Sequence, residues 1–200
     1  MTKTKSPNQS VEISLKNGGV GVLSTDTIYG IVGSVLDKKA VERIYKLRRR
    51  NPIKPMIVLI GSLPDLRLFG ISPDPTVKKY LKKVWPHLRR GYGGQAGKVS
   101  VILGTMNHKS RIKFKYLHRG TNALAFRLPQ PMWLRRLLRK TGPLVAPSAN
   151  WEGKPPAKTI REAKKYFGGK VDFYIDAGRV DSPPSRIVKI ESGKVVVLRP

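Results

Sequence analysis

The sequence predicts a single α/β domain whose core is a mixed β-sheet with helices packed against it. The first observation is size, because 200 residues, 40% of them hydrophobic, suit one compact domain with a sizeable core. The second is order: strand and helix patterns are interleaved along the chain without the strict alternation of a doubly wound parallel fold. The third is continuity, since no internal repeat or low-complexity linker divides residues 1–200.

The N-terminal part of the chain predicts two strands and a helix. Residues 1–10 are polar and are expected to form a flexible N-terminus. Val11–Leu15 and Val20–Leu23 have strand-like apolar patterns, and the turn-forming residues 16–19 (KNGG) join them. Asp37 is expected to cap a helix, because its carboxylate can accept from the first free backbone N–H groups. The apolar face of this helix contains Ala40, Val41, Ile44 and Tyr45.

The next part of the chain predicts a buried strand, a lysine-rich helix and a long loop. Met56–Ile60 (MIVLI) is a short apolar run that fits a buried strand. The dipeptide at 74–75 (DP) is typical of a helix start, and Pro86 is expected to end that helix. Residues 87–98 (HLRRGYGGQAGK) are glycine-rich and basic and predict a flexible loop before the strand Val99–Leu103. The helix before the loop has the apolar positions Val77, Tyr80, Leu81, Val84 and Trp85.

The C-terminal half predicts further strands separated by helices. Residues 131–140 form a strongly basic helical pattern with leucines on one side. Thr159 and Glu162 have the spacing of a capping box, and Gly168 is expected to end the helix that they begin. The predicted strands are Leu124–Leu128, Leu144–Ala146, Phe173–Asp176, Ile187–Ile190 and Lys194–Leu198, and the last pair forms a hairpin.

The charge of the chain is strongly positive and unevenly distributed. Forty Lys and Arg against twelve Asp and Glu give a net charge of +28. No acidic residue occurs between Asp74 and Glu152, an interval that carries seventeen basic residues. Such a field concentrates polyanions near the surface, so the charge is consistent with contact to RNA. A solvated basic face that binds no partner explains the same pattern equally well.

Several classes of function are disfavoured by what the sequence lacks. There are no cysteines, which excludes disulfides, thiolate metal sites and a cysteine nucleophile. The three histidines lack metal-ligand spacing and have no serine and aspartate partners that would indicate a hydrolase triad. Neither a Walker-type phosphate loop nor a G-x-G-x-x-G motif is present. The chain also lacks an N-terminal apolar run and a membrane-length segment, which predicts a cytoplasmic protein.

Four loops combine polar side chains with strand ends, where α/β proteins place their ligands. Residues 24–30 (STDTIYG) offer hydroxyls and a carboxylate for a small polar ligand, or serve only as a turn and cap. Residues 48–52 (RRRNP) carry guanidinium groups that match phosphate oxygens, although a basic helix end also compensates the helix dipole. Residues 147–153 (PSANWEG) offer a hydroxyl and an amide for phosphate and its metal, and residues 183–186 (PPSR) precede the final hairpin.

Taken together, these segments resemble the YrdC family over nearly the whole chain. The best-matching segment is residues 143–153 (PLVAPSANWEG), where the family has P-L-x-x-x-S-A-N-x-x-G. The other matching segments, in chain order, are 25–30 (TDTIYG), 48–50 with 55–56 (RRR and PM), 125–129 (AFRLP), 172–178 and 198–200 (LRP). Two departures stand out: Arg48 occupies the position of a family lysine, and the family's W-P-G-P-x-T segment is split by the basic residues 87–98.

The resemblance implies both a fold and a reaction. The fold is a YrdC/RibB-like twisted mixed sheet with flanking helices around a concave basic site. The implied enzyme is an L-threonylcarbamoyladenylate synthase, a nucleotidyltransferase that joins L-threonine, bicarbonate or CO2 and ATP, with pyrophosphate as the second product. Mg²⁺ is expected to shield the triphosphate. The product is expected to pass to a downstream transferase for threonylcarbamoyl modification of tRNA, and contact with tRNA or double-stranded RNA is a further expectation.

The resemblance also implies roles for individual residues. Arg48 and Arg50 are the expected catalytic residues, because they would neutralise charge on the nucleotide. The nucleotide would be bound by Arg48, Arg50, Ser148, Asn150 and Arg199. L-Threonine would be bound by Thr25, Ser100, Arg127 and Ser185. No residue is expected to ligate a metal directly.

Alternatives to this assignment follow from the residues themselves. Arg127 offers a bidentate partner for a carboxylate, but a structural salt bridge to one of the few acids would also explain it. At the level of the whole protein, the charge of +28 suits a relative that has become chiefly an RNA-binding protein with reduced or altered catalysis. A weaker alternative is a hydrolase or carbamoyl-transfer relative with a different acceptor.

Overall fold

The computed structural model describes residues 9–85, 98–104, 107–191 and 193–200. Most of the basic loop predicted at 87–98 lies outside these residues, as do Pro86 and residues 1–8. The helices are α1 (Gln9–Lys16), α2 (Lys38–Arg48), α3 (Pro75–Val84), α4 (His108–Lys113), α5 (Lys115–His118), α6 (Met132–Thr141) and α7 (Ile160–Phe167), with a 3-10 helix at Leu63–Phe69. The strands are β1 (Gly21–Ser24), β2 (Tyr29–Ser34), β3 (Val58–Leu59), β4 (Val99–Leu103), β5 (Leu124–Arg127), β6 (Leu144–Val145), β7 (Phe173–Tyr174), β8 (Arg186–Glu191) and β9 (Lys194–Arg199).

The strands of the described residues form one mixed sheet. Their order is β7-β1-β2-β6-β3-β5-β4-β8-β9. The pairs β1/β7, β3/β5 and β4/β8 are parallel, whereas the remaining neighbours are antiparallel. The predicted mixed sheet with flanking helices is therefore confirmed.

The two faces of the sheet are covered to different extents, and this difference creates a cavity. One face packs against α2, α3, α5, α7 and the 3-10 helix in a continuous apolar core. On the other face, α1 and α6 form a smaller core with β1, β2, β3 and β6. Side chains alternate along a strand, so Val101 and Phe126 enter the large core while Ile102 and Ala125 face the uncovered half of the second face, where they line a cavity.

The helix starts that the sequence predicts are confirmed by their side-chain caps. Asp37 accepts a hydrogen bond from Ala40 N at 3.0 Å, and Asp74 accepts one from Val77 N at 2.9 Å. Thr159 accepts from Glu162 N at 3.2 Å. In α2 the predicted apolar face is buried, and Gly33 of β2 lies so close that an added Cβ would meet Ile44 at 3.0 Å.

The strand predicted at Val11–Leu15 is wrong, because this segment belongs to helix α1. The residues V-E-I-S-L alternate as a strand would, but Val11 and Leu15 are also one helical turn apart. The structure buries those two residues beside α6 and leaves Ile13 51% exposed. Burial therefore follows the four-residue spacing of a helix and not the alternation of a strand. Because α1 begins at Gln9, the flexible N-terminus predicted for 1–10 is wrong for residues 9 and 10.

A second difference is strand β2, which the sequence did not indicate. It is buried throughout and forms a hairpin with β1, so that residues 25–28 become the short connection between two strands. Glycines at 30 and 33 weaken the strand pattern of this segment. No helix in the described part of the chain is long and apolar enough to cross a membrane.

Candidate active site

A cavity of about 560 Å³ occupies the half of the sheet that α1 and α6 leave uncovered. This volume lies in the range typical of small-molecule sites, roughly 300–1,000 Å³. The predicted site residues that line it are Thr25, Arg48, Arg50, Arg127, Ser148, Ser185 and Arg199. Ser100 and Asn150 lie directly behind this lining rather than in it. The structure thus brings residues from distant parts of the chain to one place.

Thr25 closes the connection between β1 and β2. Its hydroxyl donates to Ile28 O at 2.8 Å and accepts from the backbone N–H groups of Thr27 and Ile28, each at 3.3 Å. It also contacts the Thr27 hydroxyl at 3.1 Å. The turn interpretation therefore applies to Thr25, and the same residue still faces the cavity.

Arg127 lies at the end of β5 and forms a buried ion pair. Its Nη2 is 3.2 Å from Asp26 Oδ1, and the two side chains are only 4% and 3% exposed. Nη1 donates to the Thr27 hydroxyl at 3.0 Å, whereas buried Nε has no hydrogen-bond partner among the described residues. Burial lowers the pKa of Arg127, and the charge of Asp26 opposes that shift. The salt-bridge alternative is thus observed, and Arg127 also lines the cavity.

Arg48, the last residue of α2, is buried without a carboxylate partner. Its Nε donates to Asn150 O at 3.2 Å, and its Nη2 donates to Ser148 Oγ at 3.1 Å and Asn150 Oδ1 at 3.2 Å. Buried Nη1 has no partner within the described ranges. Burial, followed by repulsion from Arg50, lowers the pKa of Arg48 to about 10. Glu152 opposes this shift from a distance, but no carboxylate contacts Arg48, so the buried cation is suited to receive an anion.

Asn150 holds Arg48 in place. Its carbonyl oxygen and side-chain oxygen both accept from Arg48, while its Nδ2 donates to Trp151 O at 2.7 Å and Lys154 O at 2.6 Å. All of these contacts stay within the protein, and Asn150 does not line the cavity. The structure therefore gives this residue a positioning contact to Arg48, whereas the sequence assigned it to the nucleotide.

Arg50 is fixed by the loop that follows α2. Its Nη2 donates to Pro55 O at 2.9 Å and its Nε donates to Lys54 O at 3.2 Å. Nη1 lies 3.8 Å from Glu152 Oε1. The backbone N–H of Asn51 donates to Glu152, which is the main reason that the pKa of Glu152 is lowered. Arg50 thus reaches the cavity as a partly exposed, oriented cation.

Ser100, Ser185 and Arg199 form a second hydrogen-bonded group across the cavity wall. The two serine hydroxyls are 2.9 Å apart. Arg199 donates to Ser185 O from Nε at 2.9 Å and from Nη2 at 2.6 Å. Burial and the nearby charge of Arg127 lower the pKa of Arg199. The arginine is thereby held against the loop before β8.

One further wall of the cavity consists of residues that the sequence did not predict as part of the site. Lys189 is its charged member, and its other members are Ile102, Thr121, Ala123, Ala125, Ile187 and Leu198. Alternation along β8 places Ile187 and Lys189 on the same face, and this period is the only sequence signal that could have found them. Ile187 ends the segment 185–187 (SRI), which stands where the family has S-T-V, whereas no motif includes Lys189.

The lining of the cavity is positive. Its charged members are Arg48, Arg50, Arg127, Lys189 and Arg199, and no Asp or Glu belongs to the lining described by the structure. The described residues also contain no group of three or more His, Asp or Glu that could hold a metal ion. Chemically, the site suits an anion of several charges whose remaining surface is apolar.

Three comparisons with known proteins agree with this geometry. A family model named Sua5_yciO_yrdC, described as telomere recombination, matches residues 14–200. A threonylcarbamoyl-AMP synthase of Neisseria gonorrhoeae is 30% identical over 192 residues, covering 94% of both chains. A relative from Methanocaldococcus jannaschii is 30% identical over 184 residues, covering 92% of this chain and 80% of its own length.

Solved structures show the same fold. The crystal structure of P. abyssi Sua5 complexed with L-threonine superimposes with a TM-score of 0.80 at 24% identity. The match covers 96% of this chain and 53% of that protein, so this chain spans about half of the length of P. abyssi Sua5.

Proposed function

The chain belongs to the Sua5/YciO/YrdC family, and from this premise we propose that it is a threonylcarbamoyl-AMP synthase. The proposed reaction consumes L-threonine, bicarbonate or CO2, and ATP, and yields threonylcarbamoyl-AMP and pyrophosphate. The name of the N. gonorrhoeae relative, which this chain matches over 94% of its length, supports the assignment. So does the threonine complex of a protein with the same fold.

One observation carries the proposal: residues from separate motifs line a single positive cavity without a carboxylate. ATP brings several negative charges close together, and the carbamate and the carboxylate of the second substrate add more. A site of arginines, hydroxyls and aliphatic side chains can bind such reactants together. It needs no protein nucleophile, because the reaction is accelerated by positioning and charge neutralisation.

The nucleotide phosphates are assigned to the end of the cavity that Arg48 and Arg50 line. Arg48 lines this end without a carboxylate in contact, and Ser148 places a hydroxyl beside it. Arginine forks match phosphate oxygens in pairs. As the carbamate oxygen bonds to the α-phosphorus and the bond to pyrophosphate breaks, negative charge accumulates on the departing oxygens. Arg48 and Arg50 would stabilise that charge.

L-Threonine is assigned to the part of the cavity that Arg127 and Thr25 line. Arg127 lines the cavity and is the cation proposed to bind the substrate carboxylate, while Asp26 keeps the guanidinium oriented. Ser185 and the backing Ser100 form the adjacent polar wall. The amino group would lose a proton on joining CO2 to form the carbamate, and that carbamate oxygen is the nucleophile toward ATP.

Mg²⁺ does not fit a protein-held site among the described residues. Magnesium prefers oxygen ligands and usually keeps several waters while bound to one or two carboxylates and substrate phosphates. The lining described here provides no carboxylate. We therefore propose that any Mg²⁺ arrives with ATP as its counterion, and no step above depends on it.

The experiment that tests the function is pyrophosphate release from ATP, with each of L-threonine and bicarbonate omitted in turn. Release that requires all three reactants supports the synthase. Release without L-threonine would indicate a different acceptor, as in the hydrolase or carbamoyl-transfer alternative. A folded protein that releases no pyrophosphate would contradict the proposal.

A second candidate function, RNA binding, is favoured by the charge of +28. The lysines of α3 are exposed on a helix that packs in the large core, on the face of the sheet opposite the cavity, and none of them lines the cavity. The test is tRNA affinity as a function of salt, because phosphate neutralisation makes affinity fall steeply. Binding that disappears when Arg48 and Arg50 are replaced would place RNA in the cavity instead.

The cellular context follows from the proposed product. An acyl adenylate is a reactive intermediate, so we propose that a tRNA-modifying transferase in the cytoplasm consumes it. This assignment depends on the synthase reaction and would be tested by adding purified transferase and tRNA to the reaction. Transfer of labelled threonine to tRNA that requires this protein would support it.

A further inference from the structure

Glu152 lies outside the cavity lining but contacts the loop that carries Arg50. The backbone N–H of Asn51 donates to Glu152 Oε2. Lys54 Nζ lies 3.3 Å from Glu152 Oε1, and Arg50 Nη1 lies 3.8 Å from the same oxygen. One carboxylate therefore contacts both ends of the loop formed by residues 50–54.

This loop has few apolar contacts that could hold it in place. Residues 52–54 are exposed, and Ile53, its one large aliphatic side chain, is 68% exposed. Segments with few buried apolar contacts open at a low free energy. The position of the loop therefore depends on its polar contacts, and the contact with Glu152 is one of these.

The polar contacts that come from outside the loop are divided between Tyr45 and Glu152. The carbonyl of Tyr45 accepts from Arg50 N at 3.0 Å, and its hydroxyl donates to Lys54 O at 2.9 Å. These two contacts hold the ends of the loop. Glu152 holds Asn51, the residue directly after Arg50, through the hydrogen bond from the Asn51 backbone.

The loop in turn orients the guanidinium of Arg50 at the cavity. Nε donates to Lys54 O at 3.2 Å, and Nη2 donates to Pro55 O at 2.9 Å. A shift of the loop would move both carbonyl oxygens, and the guanidinium would move with them. The direction in which Arg50 presents its charge thus depends on residues that do not line the cavity.

We propose that Glu152 is a positioning residue, whose carboxylate fixes the loop at 50–54 so that Arg50 faces the nucleotide phosphates. The inference rests on the proposed function, in which Arg50 binds those phosphates. Glu152 has two opposing effects on an anion in the cavity. Its negative charge weakens anion binding, whereas an ordered loop strengthens it, because the entropy of ordering is lost before the ligand binds.

The contacts of Glu152 indicate that loop ordering outweighs repulsion. The hydrogen bond from Asn51 N is the main cause of the lowered pKa of Glu152, ahead of the contacts to Lys54 and Arg50. The carboxylate therefore acts chiefly on the backbone of the loop. The loss of this hydrogen bond should weaken phosphate binding, although it also removes a negative charge.

The test is the binding of tripolyphosphate, measured by calorimetry, to the wild-type protein and to variants of Glu152. Glu152→Ala removes the charge and the acceptor, whereas Glu152→Gln keeps an oxygen that can accept from Asn51 N. We expect Glu152→Ala to weaken binding about 3–10-fold, the range of one hydrogen bond. Glu152→Gln should bind at least as tightly as the wild-type protein. Tighter binding by both variants would overturn the proposal, because Glu152 would then act only as a repelling charge.

Glu152→Asp provides the complementary variant, because it keeps the charge and shortens the reach to Asn51 N by one methylene group. A positioning role predicts weaker tripolyphosphate binding in Glu152→Asp, and a purely electrostatic role predicts no change. Unchanged binding in both Glu152→Asp and Glu152→Ala would overturn the proposal. Urea denaturation of each variant shows that the protein measured is folded.

Glu162→Ala is the matched control. Glu162 Oε2 also accepts from a backbone N–H, that of Lys158 at 2.8 Å, and Glu162 does not line the cavity. Its loss should leave tripolyphosphate binding unchanged. An equal weakening in Glu162→Ala and Glu152→Ala would show an effect of general stability and would overturn the positioning role.

A double variant tests whether Glu152 acts through Arg50. In an Arg50→Met background, Glu152→Ala should cause no further loss of tripolyphosphate affinity, because the group that Glu152 positions is absent. Additive losses would overturn the proposal, since residues that act through one another are not additive. In pyrophosphate release, Glu152→Ala should raise KM for ATP about 3–10-fold and leave KM for L-threonine unchanged.

These measurements separate failure of the positioning role from failure of the proposed function. If the wild-type protein binds tripolyphosphate but releases no pyrophosphate, the synthase assignment fails, and the binding series still decides the role of Glu152. If the wild-type protein releases pyrophosphate and Glu152→Ala binds tripolyphosphate normally, the positioning role fails and the synthase assignment stands. If Arg50→Met leaves tripolyphosphate affinity unchanged, Arg50 does not bind phosphate, and the positioning role is overturned.

Discussion

Two buried arginines, Arg48 and Arg127, line the same cavity but are balanced in opposite ways. Arg127 faces Asp26 at 3.2 Å, so its charge is already neutralised within the protein. Arg48 has only hydroxyl, amide and carbonyl groups as hydrogen-bond partners, and its charged neighbours are Arg50 and, with a smaller effect on its pKa, Glu152. The first arrangement makes Arg127 part of the fold and leaves it to contact a ligand from within a neutral pair, whereas the second leaves a positive charge for a ligand. The countercharge of a buried arginine, and not its burial alone, therefore indicates how much charge it offers to a ligand.

The largest loss of stability is expected from breaking the buried ion pair between Arg127 and Asp26. Arg127→Met would leave Asp26 buried without its partner, which typically costs about 3–5 kcal/mol in the free energy of unfolding. Urea denaturation measures this change. Arg43→Met is the matched control, because Arg43 pairs with Asp172 at a site where both side chains are 39% exposed.

Arg43→Met should lower the free energy of unfolding by at most about 1 kcal/mol, because exposed ion pairs contribute little to stability. If Arg127→Met does not fold, Asp26→Asn, which keeps the shape and removes the charge, provides the same comparison. If Arg127→Met and Arg43→Met lowered the free energy of unfolding equally, the distinction between the buried and the exposed ion pair would be contradicted.

Arg48→Met should reduce turnover while affecting stability much less than Arg127→Met. Removing one preorganised donor to developing negative charge typically lowers kcat about 10²–10³-fold. The same substitution relieves the repulsion between Arg48 and Arg50, which offsets part of the lost hydrogen bonding. Steady-state pyrophosphate release and urea denaturation, measured on one preparation, separate the two effects.

Arg48→Lys sharpens this test, since lysine is the residue that the family pattern has at this position. A lysine restores the charge without the guanidinium fork. Recovery of most of the turnover would show that charge is sufficient, whereas no recovery would show that the fork geometry is required. A loss of stability in Arg48→Met equal to that of Arg127→Met would contradict the proposed difference.

A smaller effect is expected from Asn150→Ala, because this residue acts through Arg48. Its loss removes the contact between Arg48 Nη2 and Asn150 Oδ1, while the backbone carbonyl that accepts from Arg48 Nε is retained. We expect KM for ATP to rise about 3–10-fold, the range of one hydrogen bond. A direct ligand contact would instead persist in Arg48→Met, so additive effects in the double variant would contradict the positioning role.

The sequence predicted those site residues that lie in a recognisable local motif and missed those that do not. Arg48, Ser148 and Arg127 lie in ordered motifs, and all three reach the cavity. Lys189 has no motif around it and reaches the cavity only because β8 pairs with β4. Such a pairing joins residues about 85 positions apart, as in Ser100 and Ser185, and no short-range signal reports it.

The helices and strands were likewise predictable only where the local sequence pattern was unambiguous. Helix α2 was predictable because its cap and its apolar period agree. Helix α1 was not, since V-E-I-S-L satisfies both a strand and a helix period and only packing beside α6 selects the helix. Strand β2 was hidden by its glycines, and one of these is required where the strand packs closely under Ile44.

The smallest predicted effect on stability concerns the exposed ion pair between Arg43 and Asp172. Arg43 donates to both oxygens of Asp172 at 2.6 and 3.0 Å, and this contact is the main reason that the pKa of Asp172 is lowered. A carboxylate with a lowered pKa in the folded state contributes stability above its ordinary pKa, about 3.9 in the unfolded chain. That contribution is lost as the pH falls through the lowered value.

Asp172→Asn should therefore lower the free energy of unfolding at pH 7 by less than about 1 kcal/mol, since the pair is exposed and screened. The difference from the wild-type protein should shrink as the pH falls below 3.9, where the wild-type carboxylate also becomes protonated. Asp26→Asn, in the buried pair, should show a larger difference at pH 7. Denaturation curves at several pH values would measure both, and equal differences for the two variants would mean that burial does not strengthen the Arg127 pair.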